Sequence, residues 1–280
     1  MQFNFSKWHG LGNDFVIVNG FTEKIEDYQS TAIKVCNRHF GIGADGLVLV
    51  LPSENADFRM RIFNSDGSEA EMCGNVTRCV ARYVYESGLT EKTKMTIETQ
   101  AGLIRPELIF NNGVLQTVRV DMGEPRLNPE DIPVTSNSNQ PIINTPLVVG
   151  NQKFNITCVS MGNPHCIIFV DDINAVNLSE TGPLIEKNPI FPRKTNVEFV
   201  QILNRETLMM RVWERGAGVT LACGTGACAT LVAAALNNRT DKAATLKLDG
   251  GDLHIEWGSD NHIYMSGPAT EVFQGCYLNE

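Results

Sequence analysis

The chain comprises 280 residues, of which 42% are apolar and 20% charged, and it carries a formal net charge of −9. This length is sufficient for two domains, each with its own core. The acidic balance argues against nucleic acids and anionic membranes as partners, because both attract surfaces rich in lysine and arginine. No stretch approaches the ~18 uninterrupted apolar residues of a membrane span, so none is expected.

Most of the predicted elements are short strands separated by turns. Their residues are rich in valine, isoleucine and phenylalanine, which is typical of strands. In chain order, the predicted strands are residues 14–18, 47–51, 60–63, 118–120, 166–170, 197–202, 208–213 and 253–257. Residues 133–146 are rich in serine, asparagine and proline, which predicts an irregular loop.

Three helices are predicted, at residues 30–38, 75–86 and 225–236. In the second, apolar side chains recur at helical spacing from Val76 to Val84, and Gly88 is the expected stop. The third is apolar on every side, which is typical of a buried helix. One buried helix in each half, among many strands, indicates a sheet curled around a central helix.

Eight cysteines are present, but their arrangement favours neither disulfides nor zinc. The N-terminal residues lack the charged and apolar blocks of a secretion signal, so we expect a cytoplasmic protein with reduced thiols. No Cys-x-x-Cys pair occurs, and none of the five histidines lies near such a pair, so we expect no metal site.

Several short motifs recur at an offset of 150 residues (223 − 73 = 150). Cys73-Gly returns as Cys223-Gly, and each cysteine precedes one of the two predicted buried helices. The other recurring pairs are Gly12-Asn13 with Gly162-Asn163, residues 60–63 with 210–213, and Gly46 with Asn196. The chain is therefore interpreted as two diverged copies of one unit. We predict two pseudo-symmetric α+β domains, residues 1–122 with 268–280 and residues 123–267.

A cysteine at a helix start is placed for acid–base chemistry. The free N–H groups and the positive end of the helix dipole favour the thiolate and can also hold a substrate carboxylate. Two such thiols can act on one carbon, one removing the α-proton and the other returning a proton to the opposite face. The same donors would stabilise the enolate-like transition state. This pattern predicts inversion at a carbon beside a carboxylate.

Each candidate residue also has an ordinary structural explanation. A cysteine before a helix is commonly a small buried residue, and an asparagine in a turn is commonly there for backbone reasons. His165 could be a hydrogen-bonded structural histidine, and Glu214-Arg215 could be a solvated charge pair. Only the matched positions of Cys73 and Cys223 favour catalysis from the residues alone.

Seven stretches of the chain together resemble the diaminopimelate epimerase family, and they follow the family's order. Cys-Gly-Thr-Gly alone also occurs in the related proline racemases. The matching stretches are His9-Gly-Leu-Gly-Asn-Asp-Phe15, Gly41-Ile-Gly-Ala-Asp-Gly46, Phe63-Asn-Ser-Asp-Gly67, Met72-Cys-Gly-Asn75, Met161-Gly-Asn-Pro-His165, Glu214-Arg-Gly-Ala-Gly218 and Ala222-Cys-Gly-Thr-Gly-Ala-Cys228.

The resemblance implies two similar domains, each a β-barrel-like sheet around a central helix, with the site in the cleft between them. It implies cofactor-independent epimerisation of LL-2,6-diaminopimelate to the meso form, in lysine and peptidoglycan precursor biosynthesis, by a homodimer. Cys73 and Cys223 would be the acid–base pair, with His165 and Glu214 tuning them. The implied substrate contacts are Asn13, Asn64, Gly74, Asn75, Asn163, Asn196, Glu214, Arg215, Gly224 and Thr225.

Two positions depart from the family pattern. Val76 stands where many members have glycine, and Gly46 stands where some members carry a substrate-contacting glutamine, so that contact is not carried over. Two other functions remain open at this point. One is a racemase for proline, hydroxyproline or histidine on the same scaffold. The other is a redox protein in which Cys73 and Cys223 form a switchable disulfide.

Overall fold

The computed structural model describes residues 2–136 and 138–278. Its helices are α1 (Tyr28–Cys36), α2 (Gly74–Glu86), α3 (Leu178–Glu186) and α4 (Gly224–Leu236), with a short 3-10 turn at Ile173–Ala175. The strands are β1 (Gln2–Gly10), β2 (Asn13–Asn19), β3 (Gly46–Leu51), β4 (Phe58–Asn64), β5 (Glu69–Ala70), β6 (Ile97–Thr99), β7 (Gly102–Ile104), β8 (Glu107–Asn111), β9 (Val114–Asp121), β10 (Thr145–Val149), β11 (Gln152–Ser160), β12 (Pro164–Phe169), β13 (Asn196–Asn204), β14 (Thr207–Glu214), β15 (Gly218–Thr220), β16 (Ala243–Leu248), β17 (Gly251–Trp257), β18 (Ile263–Gly267) and β19 (Thr270–Leu278).

The chain forms two compact units. The first runs to Asp121 and resumes at Ser266, and the second is Met122–Met265. The division predicted from the sequence has its junctions at 122/123 and 267/268. The α+β class and the duplicated two-domain organisation are confirmed.

The sheet of the first unit has the strand order β19-β1-β2-β3-β4-β6-β7, and β5 pairs with β4. Strands β1 and β2 are antiparallel, β2 and β3 parallel, β3 and β4 antiparallel, and β4 and β6 parallel. The hairpin β8–β9 belongs to the same unit.

The second unit repeats this pattern of strand directions. Its sheet has the order β10-β11-β12-β13-β14-β16-β17-β18, with β15 paired to β14. Strands β11 to β14 and β16 correspond to β1 to β4 and β6, with the same alternation of antiparallel and parallel pairs.

The strand register also follows the offset of 150 residues. Phe15 lies opposite Gly46 in the first unit, and His165 lies opposite Asn196 in the second. Likewise, Leu47 pairs with Phe63, and 150 residues later Val197 pairs with Trp213. The duplication inferred from the sequence is therefore present in the backbone pairing itself.

Each unit encloses one buried helix. Helix α2 contacts β1, β2, β8, β9 and β19, while α4 contacts β11, β12, β13, β16 and β17. Most residues of both helices are buried, as their apolar patterns predict. Gly88 follows the end of α2 with a φ of +73°, a left-handed conformation that glycine adopts without strain, and it ends the helix as expected.

The elements predicted from the sequence differ from those of the structure at three places. Helix α1 lies two residues before its predicted range, because Asp27 caps it by accepting a hydrogen bond from the Ser30 backbone N–H. Helix α3 was not predicted, since it contains a Gly-Pro pair at 182–183 that normally indicates a break. The predicted loop at 133–146 has no helix or strand until Thr145 begins β10; Asn137 lies outside the described residues.

The C-terminal segment returns to the first unit and is held by helix α2. Arg78 is fully buried, and its Nε donates to the Pro268 carbonyl oxygen at 3.1 Å. One turn later, Arg82 Nη1 donates to the Ala269 carbonyl oxygen at 2.7 Å. These contacts anchor the segment that leads into β19, and β19 then pairs with β1.

Candidate active site

Cys73 is the N-cap residue of α2. Its backbone is extended (φ −147°, ψ 121°), its carbonyl accepts the Thr77 N–H at 3.0 Å, and its side chain is half-buried. The Sγ atom donates to Asn13 Oδ1 at 3.8 Å. Because the first N–H groups of a helix have no partner within it, Gly74 and Asn75 present backbone donors beside this sulfur.

Asn13 connects Cys73 to a group of charged side chains. Its Nδ2 donates to Asp45 Oδ2 at 2.7 Å, and its Oδ1 also accepts from Asn75 Nδ2 at 3.2 Å. Asp45 in turn accepts from Arg38 Nη2 at 2.8 Å. The carboxylate therefore fixes the orientation of the Asn13 amide, with its oxygen towards the cysteine.

Asp14 lies at the centre of the same charged group. Its carboxylate accepts from Arg38 Nη2 at 2.7 Å and from Lys7 Nζ at 2.6 Å. Burial alone would raise the pKa of Asp14, but the hydrogen bonds from Arg38 and Lys7 outweigh it and lower the pKa to about 2. Asp14 is therefore ionised at neutral pH and holds the start of β2.

Asn64, at the end of β4, is exposed and lies opposite Gly46 in the sheet. Its Nδ2 donates to Ser68 Oγ at 3.0 Å. A Cβ atom at Gly46 would lie 2.9 Å from the Phe63 carbonyl oxygen, so a larger residue would require the backbone to move. The glycine at this departure from the family pattern therefore fits its local surroundings.

Cys223 is the N-cap residue of α4 and is buried. Its Sγ accepts from the Gly226 N–H at 3.4 Å and lies 3.6 Å from Thr225 Oγ1. Gly224 and Thr225 occupy the same helix-start positions as Gly74 and Asn75 in the first unit. The two predicted cysteines are thus found at equivalent helix starts.

Burial raises the pKa of Cys223 well above its ordinary value, and the neighbouring carboxylates of Glu214 and Glu198 raise it further. This corrects the sequence prediction for this residue, which considered only the helix dipole and expected easier ionisation. Desolvation and two nearby acidic groups outweigh the dipole at this position. The surroundings of Cys223 therefore favour the thiol over the thiolate.

Glu214 lies at the end of β14 beside this thiol. Burial raises its pKa, and the hydrogen bond from Thr220 opposes that effect. Thr220 Oγ1 donates to Glu214 Oε1 at 2.5 Å, and the charge of Glu214 raises the pKa of Cys223. Glu214 therefore acts electrostatically on the cysteine that it was predicted to tune.

His165 is fully buried in β12, one residue from the strand start. Its Nε2 lies 3.0 Å from Asn163 Oδ1, and Asn163 Nδ2 donates to Thr225 Oγ1 at 3.2 Å. His165 thus reaches the Cys223 region through Asn163 and Thr225. On the other side, its Nδ1 lies 2.7 Å from Glu198 Oε1.

Asn196 and Arg215 are placed differently from each other. Asn196 is buried, and its Nδ2 donates to the Pro164 carbonyl oxygen at 2.8 Å. Arg215 is exposed, and its Nη1 donates to the Arg193 carbonyl oxygen at 3.2 Å. An exposed guanidinium is available to an anionic ligand, whereas the Asn196 amide is used by the protein backbone.

Sequence reasoning missed Glu198, Asp45 and Asp14. Glu198 interrupts the apolar run of β13 and is fully buried, which was the available signal, since a charged residue in a buried strand requires a partner. The two aspartates lie inside motifs that were recognised, but they were not assigned roles there.

Among residues 2–136 and 138–278, no group of three or more His, Cys, Asp or Glu side chains is arranged to hold a metal ion. None of the eight cysteines, all within that range, forms a disulfide. No helix in the described part of the chain combines the length and apolar character needed to cross a bilayer.

Comparison with solved structures supports the duplicated fold. A phenazine biosynthesis protein of the PhzF family from Bacillus anthracis superposes with a TM-score of 0.73 over 100% of both chains, at 20% identity. A hydroxyproline epimerase from Agrobacterium vitis superposes with a TM-score of 0.69, covering 99% of this chain and 91% of its own, at 16% identity. At such identities the likeness concerns the fold alone.

Sequence comparison is more specific. The family model described as diaminopimelate epimerase matches residues 5–128 and 157–272. A diaminopimelate epimerase from Moorella thermoacetica is 58% identical over 276 residues, which are 98% of this chain and 99% of that protein. One from Methanococcus maripaludis (strain S2) is 54% identical over 272 residues, 97% of this chain and 98% of the relative. The chain therefore belongs to the diaminopimelate epimerase family.

Proposed function

We propose that this chain is an isomerase that converts LL-2,6-diaminopimelate to the meso form, with Cys73 and Cys223 as its two proton carriers. The observation that carries the proposal is the equivalence of the two cysteines. Each is the N-cap of the buried helix of its unit, at the same offset in the repeat, in a chain that belongs to this family. Relatives that are 53–58% identical to this chain are named diaminopimelate epimerase.

In the proposed reaction one sulfur, as thiolate, removes the proton from the α-carbon, and the C–H electron pair is delocalised into the adjacent carboxylate. The other sulfur, as thiol, delivers its proton to the opposite face of that carbon. The two sulfurs end with exchanged protonation, and exchange with solvent restores the starting form. Burial favours the protonated form of Cys223, and this form is the one needed for the proton donor in one direction of the cycle.

The reacting carboxylate would be held by backbone N–H groups at the two helix starts, Gly74-Asn75 and Gly224-Thr225. The hydrogen bonds from these groups become stronger as negative charge develops on the carboxylate, and this lowers the barrier to proton removal. Helix starts favour an anion, and no bound cofactor is required to delocalise the charge in this scheme.

The remaining site residues would recognise the rest of the substrate. Asn13, Asn64 and Asn163 are proposed to contact its polar groups, Asn196 to hold the backbone of Arg215, and the exposed Arg215 to bind the distal carboxylate. A guanidinium and a carboxylate can form two parallel hydrogen bonds. His165 and Glu214 are proposed to tune the cysteines, and the raised pKa of Cys223, to which burial and then Glu214 contribute, supports this.

We further propose that the protein acts in the cytoplasm, as a homodimer, in the synthesis of lysine and of peptidoglycan precursors. These proposals follow from the family. The acidic composition, with a net charge of −9, favours a small-molecule substrate over nucleic acid or an anionic membrane surface as partner.

Substrate comparison tests the function. The reduced protein, without added metal or pyridoxal phosphate, should epimerise LL-diaminopimelate with a kcat/KM at least about 10³-fold above that for lysine, because a site built for a charged group rejects the analogue that lacks it. Proline and histidine should also be poor substrates. Comparable turnover of lysine and diaminopimelate would remove the argument from the distal carboxylate, and preferred turnover of proline would establish the racemase alternative.

A further inference from the structure

Glu198 is a fully buried glutamate in the middle of an apolar strand. One of its oxygens, Oε1, lies 2.7 Å from His165 Nδ1, and His165 is also fully buried. The other oxygen, Oε2, is buried and has no hydrogen-bond partner among the described residues. Burying a carboxylate costs on the order of several kcal/mol unless it is well paired. The presence of a glutamate at this position therefore needs an explanation.

The first unit lacks this pair. At the offset of 150 residues, Phe15 occupies the position of His165 and Val48 the position of Glu198, in strands of the same register. Both replacements are apolar and buried. The fold itself therefore does not require the His165–Glu198 pair, since one copy of the unit is built without it.

A continuous path of polar contacts leads from Glu198 to the cysteine. His165 Nε2 contacts Asn163 Oδ1 at 3.0 Å, and Asn163 Nδ2 donates to Thr225 Oγ1 at 3.2 Å. Thr225 Oγ1 lies 3.6 Å from Cys223 Sγ. Both ring nitrogens of His165 face oxygen atoms, so the 2.7 Å contact between Nδ1 and Glu198 Oε1 contains a proton shared by the two groups.

Glu198 also approaches Cys223 directly, past Gly226. A Cβ atom at Gly226 would lie 2.6 Å from Glu198 Oε1 and 3.2 Å from Cys223 Sγ. Because both atoms lie close to one point, Glu198 Oε1 and Cys223 Sγ are less than about 6 Å apart, and the glycine leaves that space open. In the first unit the equivalent position is Val76, which is buried in α2.

We propose that Glu198 is a positioning residue for Cys223: through His165 it fixes the Asn163 amide and the Thr225 hydroxyl beside the sulfur, and its negative charge favours the thiol form. The two copies of the repeat thus differ in function. The second unit contains the His165–Glu198 pair, which favours a protonated cysteine, and the first unit has apolar residues at both positions. This inference rests on the proposed role of Cys223 as a proton carrier.

The titratable groups around Cys223 lie on three strands: His165 on β12, Glu198 on β13 and Glu214 on β14. Burial is the largest cause of the raised pKa of Cys223, followed by Glu214 and then Glu198. Removing the charge of Glu198 alone should therefore lower the pKa of Cys223 without abolishing the effects of burial and Glu214.

The test is the pH profile of alkylation of Cys223 by iodoacetamide, followed by mass spectrometry of the peptides. The midpoint of such a profile reports ionisation and does not depend on how accessible the sulfur is. Glu198→Gln keeps the size of the side chain and removes its charge. We expect the Cys223 midpoint to move to lower pH, so that its alkylation at neutral pH becomes about tenfold faster, which corresponds to one pH unit.

Two controls accompany this variant. Cys73 in the same molecule should keep its profile, because the first unit has no counterpart of Glu198. Glu186→Gln removes another buried glutamate of the second unit, one that accepts from Trp213 Nε1 and the Gly216 N–H, and it should leave the Cys223 midpoint unchanged. An unchanged Cys223 profile in Glu198→Gln, or an equal shift in Glu186→Gln, overturns the inference.

If Glu198→Gln does not fold, Glu198→Asp carries the test. It withdraws the carboxylate by one methylene from His165 and should shift the Cys223 midpoint in the same direction by a smaller amount; no shift overturns the inference. The readout is independent of turnover. Protein that fails to epimerise diaminopimelate while Cys223 responds as described would refute the proposed function and leave the role of Glu198 standing.

Discussion

Asn196 Oδ1 accepts a hydrogen bond from the Arg215 backbone N–H at 2.8 Å, and so ties the end of β14 to the start of β13. The same amide donates to the Pro164 carbonyl oxygen, at the start of β12. One buried side chain therefore ties together the starts of β12 and β13 and the end of β14, next to His165, Glu214 and Arg215. Asn196 acts on the site in this structure by holding the backbone of Arg215.

Arg215→Ala should lower kcat/KM for diaminopimelate by about 10²-fold or more, because a charged hydrogen bond to the distal carboxylate is lost. Arg215→Lys should not restore activity, since an ammonium group cannot reproduce the planar fork of a guanidinium. Steady-state kinetics of the two variants check this. Recovery of near-normal kcat/KM in Arg215→Lys would contradict a bidentate contact.

Cys73→Ala and Cys223→Ala should each reduce kcat by about 10³-fold or more, because each removes a proton carrier that the reaction requires. Cys79→Ala and Cys228→Ala are matched controls, since both sulfurs are fully buried further along the same helices. The controls should lose about 1 kcal/mol of stability from a small cavity and keep most of their activity. If Cys223→Ala retained more than about a tenth of kcat, the lost barrier contribution would be below ~1.4 kcal/mol, too little for an obligatory acid or base.

Asp14 should give the protein a stability that depends on pH in the acid range. Its pKa is lowered to about 2 in the folded chain, against about 3.9 for a free aspartate. A lowered folded pKa means that the stabilisation is complete above the unfolded value and is lost as the pH falls from about 4 towards 2. Asp14→Asn should remove this dependence and lower the free energy of unfolding at neutral pH by about 2 kcal/mol, because Lys7 loses its carboxylate.

Denaturant unfolding between pH 2 and pH 7 measures this effect. Asp241→Asn is the control, since the Arg205–Asp241 pair has a similar N–O distance of 2.6 Å but is largely exposed. We expect little change in the control, as is usual for exposed ion pairs. Equal losses of stability in both variants would show that the contact of Asp14 with the buried Lys7 contributes no more than an exposed ion pair, and would contradict the prediction.

The elements that could be predicted from sequence are those with a strong apolar pattern. Strand β3 is a nearly continuous apolar run, and α2 and α4 each begin at the glycine of a repeated Cys-Gly motif. Strand β19 was missed because most of its residues are exposed, so it has no buried face to give a periodic signal. Helix α3 was missed because Pro183, which usually ends a helix, lies inside it.

Some residues of the candidate site could likewise be predicted from the sequence, whereas their ionisation could not. The repeat located Cys73 and Cys223, and the family motifs supplied Asn13, Asn163 and Glu214. The state of Cys223 could not be predicted, because its raised pKa depends on burial, on Glu214 and on Glu198, which is 25 positions away in sequence (223 − 198 = 25). Helix-start position alone gave the wrong direction, since it omits the desolvation that three-dimensional packing produces.

Isotope exchange in D2O tests the two-thiol account most directly. LL-diaminopimelate is incubated with reduced protein in D2O, and deuterium at the α-carbons of substrate and product is followed by NMR and mass spectrometry at early conversion. Because the returning proton comes from the other, solvent-exchanged thiol, the meso product should carry deuterium at the inverted carbon while the remaining substrate keeps its protium. Product that retains the original proton would show that a single group serves both faces, and would contradict the assignment of Cys73 and Cys223 as a pair.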